Sequence, residues 1–94
     1  MKIAEEIVTS RQNRIVVDAV KLLDKKAREK AGCFRFDGFK LFAEALEKGV
    51  EISRVLVCES KLERACELLE NGNADTRDIS VTVLSDDLFL KVSE

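Results

Sequence analysis

Apolar positions recur along the chain with two different periods, and these periods predict its helices and strands. A first helix is predicted from about residue 13 to residue 30, because its apolar residues return at helical spacing. The predicted buried stripe of this helix consists of Val16, Val20, Leu23 and Ala27. Residues 55–58 read Val-Leu-Val-Cys, a short continuous apolar run that is typical of a central strand covered on both faces.

The rest of the pattern predicts that helices and strands alternate. Residues 33–36 and 79–83 alternate apolar with polar positions and are predicted as strands. Further helices are predicted at residues 39–48, at residues 60–72 and from residue 85 onward. The order helix, strand, helix, strand, helix, strand, helix predicts an α/β layer sandwich on a small, largely parallel sheet.

Capping residues mark several of the predicted helix ends. Asn13 is placed to cap the first helix, and Gly32 lies just past the end of that helix. Ser60-Lys61-Leu62-Glu63 matches a capping box, and Ser85, followed by two aspartates, is placed to open the last helix. Gly49 is expected to end the second helix.

Asp37 stands where the predicted strand at 33–36 meets the next helix. A carboxylate at this point can accept hydrogen bonds from the free N–H groups of the first helical turn. We interpret Asp37 as a helix cap rather than a catalytic acid, because no second titratable group is placed to work with it. Four aromatic side chains crowd this junction and most are expected in the core: Phe34, Phe36, Phe39 and Phe42.

Composition restricts the chemistry of the chain. Its 94 residues suit one domain, and the absence of histidine argues against most hydrolytic and zinc-dependent reactions. The cysteines Cys33, Cys58 and Cys66 form no C-x-x-C pair, so we interpret them as small buried hydrophobic residues in a reducing cytoplasm. The sequence contains neither an apolar run long enough to cross a membrane nor a signal peptide.

Charge is distributed unevenly. Residues 11–40 carry nine bases and four acids, a net charge of +5, whereas residues 41–94 carry six bases and twelve acids, a net charge of −6. A basic third of a small domain is what a polyanion such as nucleic acid would contact. The alternative interpretation is an ordinary charged surface exposed to solvent, which would give the same number of charges.

A second stripe of the first helix lies opposite the apolar one. It contains four cations and one anion, Arg14, Asp18, Lys21, Lys25 and Arg28. Together with residues before the helix and around the turn at Gly38, these cations predict an RNA-binding surface. Phe39, next to Lys40, is the one aromatic residue considered as an exposed platform for stacking a base, with burial in the core as the alternative. The predicted RNA-binding residues are Arg11, Asn13, Arg14, Lys21, Lys25, Arg28, Arg35, Gly38, Phe39 and Lys40.

Three segments of the chain together resemble one known family. The first is Thr9-Ser10-Arg11-Gln12-Asn13 followed by Lys21-Leu22-Leu23, and the second runs from Gly32-Cys33-Phe34-Arg35-Phe36-Asp37-Gly38 through Gly49. The third is Val83-Leu84-Ser85-Asp86-Asp87-Leu88-Phe89. The whole chain resembles the N-terminal substrate-binding domain of SpoU/TrmH-type RNA 2′-O-ribose methyltransferases of the SPOUT superfamily. It departs from the family pattern in having Arg14 for the usual Pro and Asp37 for the usual Glu.

The resemblance implies a small three-layer α/β/α sandwich, like that of the ribosomal proteins that bind kinked RNA. It implies one RNA-substrate-binding domain over residues 1–94, with structured RNA, above all ribosomal RNA, as the partner, and neither DNA nor a membrane. The family's catalytic domain, which binds S-adenosylmethionine, has no counterpart in these residues. We therefore expect no cofactor on this chain and no catalysis by it alone, and we expect the parent protein to be an RNA methyltransferase.

Other functions remain open at this stage. The acidic later half or an exposed sheet edge could dock a protein partner or the catalytic domain, and an exposed apolar patch would distinguish that function. A free-standing reader of structured RNA and an independent enzyme are two further alternatives. An uncovered sheet edge also predicts self-association of the chain.

Overall fold

The computed structural model describes residues 1–33, 35–72 and 75–93, and within these ranges three parallel strands form the central sheet. The strands are β1 (Lys2–Val8), β2 (Arg54–Cys58) and β3 (Ser80–Leu84), and they lie in the order β1-β3-β2. The middle strand, β3, is the most buried of the three, since four of its five residues are buried. The sheet is therefore assembled around β3.

Five α-helices surround the sheet in the described part of the chain. They are α1 (Arg14–Lys21), α2 (Lys25–Ala31), α3 (Phe39–Glu47), α4 (Leu62–Asn71) and α5 (Asp86–Val92), and a short 3-10 turn at Glu59–Lys61 precedes α4. No helix among the described residues is long and apolar enough to span a membrane.

Alternate residues of the strands face opposite layers of helices. Val81 and Val83 of β3 and Val57 of β2 pack with buried residues of α3 and α4, which are Phe42, Ala65 and Leu69. On the other face Leu84 packs with buried residues of α1 and α5, which are Val16, Leu88 and Val92. Because successive side chains of a strand point to opposite faces, one strand serves two cores. The α/β/α sandwich is confirmed.

The first predicted helix is wrong in one respect, because the structure divides it into α1 and α2. The carboxylate of Asp24 accepts a hydrogen bond from Ala27 N at 3.3 Å and caps a new helix, and such short side chains compete with the helical backbone ladder. Because of this division, the predicted apolar stripe is not buried along its whole length. Val16 is fully buried, but Val20 is 36% exposed and Leu23 is 43% exposed.

The strand predicted at 33–36 is also wrong for the residues that the structure describes. Cys33, Arg35 and Phe36 lie outside any strand, and Phe34 lies outside the described residues. Lys2–Val8 forms β1 beside β3, a strand that no pattern in the sequence predicted. Its apolar residues, at positions 3, 4, 7 and 8, have helical rather than alternating spacing, and the strand is exposed except at Val8.

Two predicted caps have different outcomes. The capping box at Ser60 is wrong, because α4 begins after the 3-10 turn with no side-chain cap, and Ser60 N instead donates to Asp86 Oδ1 at 3.1 Å. The cap at Ser85 is confirmed, because its hydroxyl oxygen accepts from Leu88 N at 3.2 Å. Gly49, at φ +72°, follows the end of α3 as predicted.

Burial of β3 gives a stability prediction. Leu84 is 0% exposed, so we expect Leu84→Ala to lower the free energy of unfolding by about 2–5 kcal/mol through lost burial and the cavity left behind. Urea denaturation measures this change. Leu90→Ala is the matched control, because Leu90 is 76% exposed and its truncation is expected to change the free energy by less than about 0.5 kcal/mol. Equal losses in the two variants would contradict this account of the core.

Candidate nucleic-acid interface

The turn between β1 and α1 places two arginines at the surface. Asn13 caps α1 as predicted, since its Oδ1 accepts from Ile15 N at 2.9 Å. Arg11 is exposed in the turn, and the side chain of Arg14 is 84% exposed. Arg14 also forms an ion pair with Asp18 at 3.1 Å, which such an exposed pair gives up at little cost. Arg11 and Arg14 are therefore both accessible to a ligand.

The connection between α1 and α2, which we call the elbow, carries the next cations. Lys21 ends α1 and Lys25 begins α2, and both side chains are exposed. Arg28 differs from these lysines, because its Nη1 donates to Leu22 O at 3.0 Å and to Leu23 O at 3.1 Å. Arg28 thus holds the elbow together, whereas the two lysines stay in solvent.

The cations occupy two places rather than one stripe. Because the strands are parallel, their carboxyl ends lie along the same side of the sheet, which we call the carboxyl edge. Helix α1 follows the carboxyl end of β1 and therefore begins at this edge, where Ser85 N donates to Val8 O at 2.9 Å. The backbone rises by about 10 Å between Arg14 and Lys21, at about 1.5 Å per residue. Arg11 and Arg14 therefore lie at the carboxyl edge, and the elbow lysines lie at the far end of α1.

Arg35 ties the segment before α3 to α1. Its Nη1 donates to Ala19 O at 2.9 Å, and its Nη2 donates to both carboxylate oxygens of Asp37, at 3.0 and 3.1 Å. The side chain is only 16% exposed. The predicted Asp37 cap is wrong, because Gly38 is the N-cap residue of α3 and no side chain caps that helix. The guanidinium offers Asp37 two charge-assisted hydrogen bonds, which are stronger than neutral ones.

The turn at Gly38 positions the start of α3. Gly38 has φ +97°, a backbone conformation that side chains disfavour, so the sharp entry into the helix requires glycine. The expectation that Phe39 is exposed is wrong, because it is half-buried against the core and the Arg64 guanidinium carbon lies 4.4 Å from its ring centroid. Lys40, the next residue, is exposed.

The predicted RNA-binding residues differ in what their side chains contact in the structure. Asn13, Arg28 and Arg35 hold backbone groups, and Phe39 is covered by Arg64. Four exposed cations have no ion pair within the described ranges: Arg11, Lys21, Lys25 and Lys40. The contribution of each of these residues to RNA binding stays a prediction.

Two further exposed lysines, Lys26 and Lys30, were not among the predicted residues. A single continuous helix would have placed both off the stripe that contains Lys21 and Lys25. Only the break at Asp24 turns α2 into a separate basic segment. The net charge of residues 11–40 was the one sequence signal that included them.

Surfaces of other kinds lie on the opposite side of the sheet. A groove of about 620 Å³ between α3 and α4 is lined in part by Glu47, Glu67 and Arg64. A smaller notch of about 220 Å³ is mainly apolar, and Leu41 and Val50 in its lining are 48% and 42% exposed. This notch is the apolar feature by which a protein-docking function would be recognised.

The three cysteines differ in how far they are exposed. Cys33 is exposed, so the prediction of burial is wrong for it, whereas Cys58 and Cys66 are half-buried. Burial, with a smaller contribution from Glu70, raises the pKa of the Cys66 thiol, which keeps it protonated and weakly nucleophilic. Within the described residues no three Cys, Asp or Glu side chains are grouped to hold a metal ion.

Comparison with known families shows what kind of domain carries this surface. The model of the MRM3-like substrate binding domain matches residues 13–94. The chain belongs to this family. It is a substrate-binding domain of the SpoU/TrmH type of RNA methyltransferase, so the resemblance seen in the sequence is confirmed. The match begins at the cap of α1, and β1 precedes it. Neither the curated proteins nor the solved structures gave a significant match.

The hydrogen bonds of Arg35 give a prediction that separates a structural role from an RNA contact. Arg35→Ala leaves the Ala19 carbonyl and the Asp37 carboxylate without their donor, so we expect a loss of about 1.5–3 kcal/mol in the free energy of unfolding by urea. Arg14→Ala removes only an exposed ion pair, and we expect a loss below about 1 kcal/mol. An Arg35→Ala variant as stable as the parent would contradict the structural role.

Proposed function

We propose that this chain grips the RNA substrate of an S-adenosylmethionine-dependent ribose 2′-O-methyltransferase, with ribosomal RNA as the first candidate. The observation that carries the proposal is a set of exposed cations with no ion pair among the described residues, Arg11 before α1 and Lys21 and Lys25 at the elbow. They belong to a domain whose family binds the substrate of RNA methyltransferases. Phosphates are the groups these cations fit, because long cationic side chains neutralise an RNA backbone without reading its bases.

Methyl transfer is proposed to occur on another part of the parent protein. The sequence has no glycine-rich cofactor motif, and three of its four glycines, Gly32, Gly38 and Gly49, serve as single positive-φ turn or cap positions. S-adenosylmethionine would supply the methyl group at that separate catalytic domain. The role of residues 1–94 is then to hold the RNA in reach, and its cytoplasmic location stays a prediction.

A second candidate function is docking of a protein partner or of the catalytic domain. The apolar notch beside Leu41 and Val50 favours it, since large apolar side chains that are nearly half exposed commonly mark contact surfaces. This notch lies next to α3 rather than at the elbow, so variants can test the two functions separately.

RNA binding through phosphates predicts a steep dependence on salt. We expect a titration of the domain with a ribosomal RNA stem-loop to lose about 0.7–0.9 log units of affinity per log unit of salt for each phosphate neutralised. The Lys21→Ala/Lys25→Ala variant should lower that slope by the contribution of two phosphates. Arg28 is left unchanged, because its hydrogen bonds hold the elbow.

The control for this titration is Lys48→Ala/Arg54→Ala, which removes the same charge at exposed positions outside the basic segment. We expect its slope to match the parent's. Equal slopes in all three proteins would contradict the elbow as the phosphate contact. No RNA binding by the parent at low salt would overturn the proposed function and favour docking at the notch.

Self-association is a separate proposal that rests on β1. This strand lies at an edge of the sheet, and its apolar residues Ile3 and Ile7 are 44% and 43% exposed. An exposed edge strand offers unpaired backbone groups to a second copy. We expect concentration-dependent dimers in sedimentation, and we expect Ile3→Lys/Ile7→Lys to abolish them. A parent that stays monomeric at high concentration would refute the proposal.

A further inference from the structure

Helix α2 differs from the other helices of the domain in having no buried residue. Among the described residues, each of the other α-helices buries at least one side chain against the sheet. Most helical stability in proteins comes from packing an apolar face, and isolated helices shorter than about 12 residues are marginal in water. With seven residues, of which Ala27 and Arg28 are half-buried and the others exposed, α2 depends mainly on local interactions.

Those local interactions are few. The Asp24 carboxylate accepts from Ala27 N at 3.3 Å, Arg28 reaches back to the Leu22 and Leu23 carbonyl oxygens, and Gly32 ends the helix at φ +70°. All of them connect residues 22–32, so none couples α2 to the rest of the domain. This segment can open without breaking the core, as weakly packed segments do.

Its charges work against the helix. Lys25 and Lys26 stand in the first turn of α2, where the helix dipole disfavours positive charge, and that turn contains no acid after the Asp24 cap. Lys26 and Lys30 are four residues apart and repel each other on one face. Glu29 offsets only part of this repulsion. Lys30 lies in the last turn, where the dipole favours positive charge, so what opposes the helix is the charge at its start and the repulsion between Lys26 and Lys30. An anion bound to these lysines would relieve both effects.

We propose that α2 is an arm that binds the RNA phosphate backbone and becomes fully helical only when the RNA neutralises Lys25, Lys26 and Lys30. The inference rests on the proposed function, and it adds Lys26 and Lys30 to the contact. It also adds a coupling between folding and binding: part of the binding free energy orders α2. RNA is favoured over an acidic protein as the partner because the domain belongs to a family that binds the substrate of RNA methyltransferases.

Hydrogen exchange of the intact chain, with and without a ribosomal RNA stem-loop, tests the coupling. In the free domain we expect the amides of residues 25–31 to exchange freely while those of α4 are protected. With saturating RNA, exchange in α2 should slow by about tenfold or more, with α4 unchanged. Equal exchange of α2 in both states, whether fast or slow, would overturn the inference.

A substitution that changes helix propensity but no charge provides the second test. Ala27→Gly should weaken RNA binding about fivefold, the equivalent of about 1 kcal/mol, because glycine opposes a helix that must form on binding. Ala43→Gly in α3 is the matched control, since α3 is packed on the core before RNA arrives, and its affinity should match the parent's. Parent-like affinity of Ala27→Gly would overturn the inference.

Removing charge from α2 tests the arm separately from the proposed RNA-binding function. Lys26→Gln/Lys30→Gln should lower the affinity and the salt slope below the parent's. If the parent binds RNA but this variant binds equally well, the arm is wrong while the proposed function stands. If the parent binds no RNA, the proposed function itself fails.

Discussion

Burial of the single strand β3 is the constraint on which the rest of the domain depends. Val81 and Val83 face α3 and α4, while Leu84 faces α1 and α5, so one strand supplies the centre of both cores. A domain of this size hides only about 60–70% of the surface that its unfolded chain exposes. Side chains that do not pack beside those of β3 therefore stay at the surface, and these include nearly all the side chains of β1 and all those of α2.

The elements left outside the core are those available for function. The basic part of the chain consists mainly of α1 and α2. Val16 is the one buried residue of α1, and α2 has none. Its order comes from side chains that bind the backbone, chiefly Asn13, Asp24, Arg28 and Arg35. Such local bonds hold a surface in place without using its lysines, and these stay free for a ligand.

The sequence predicted the packed elements well and the unpacked ones poorly. The helices α3, α4 and α5 and the strands β2 and β3 follow from apolar periods, because burial against a neighbour selects those periods. The break at Asp24 and the Arg35–Asp37 pair depend on which acceptor a polar side chain chooses, and periodicity carries no information on that choice. Strand β1 depends on pairing with residues almost eighty positions later, which no local pattern reports.

The candidate interface was predicted as a region but not residue by residue, for the same reason. In the sequence Arg28 and Lys25 are two cations on the same predicted stripe. In the structure, however, the Arg28 guanidinium donates hydrogen bonds to two carbonyl oxygens. Arg14, Arg35, Arg64 and Arg77 likewise have partners, so five of the seven arginines contact another group, whereas among the described residues no lysine side chain is hydrogen-bonded or ion-paired.

Chemistry accounts for this division between arginine and lysine. A planar guanidinium donates several hydrogen bonds in fixed directions and suits the bracing of turns and loop segments, while a strongly hydrated ammonium on a flexible stem does not. Lysines held in solvent act as mobile point charges, which attract phosphate at a distance but do not select a base. Under the proposed function, a surface built in this way would supply affinity and orientation, and the choice of nucleotide would come from RNA shape or from a separate catalytic domain.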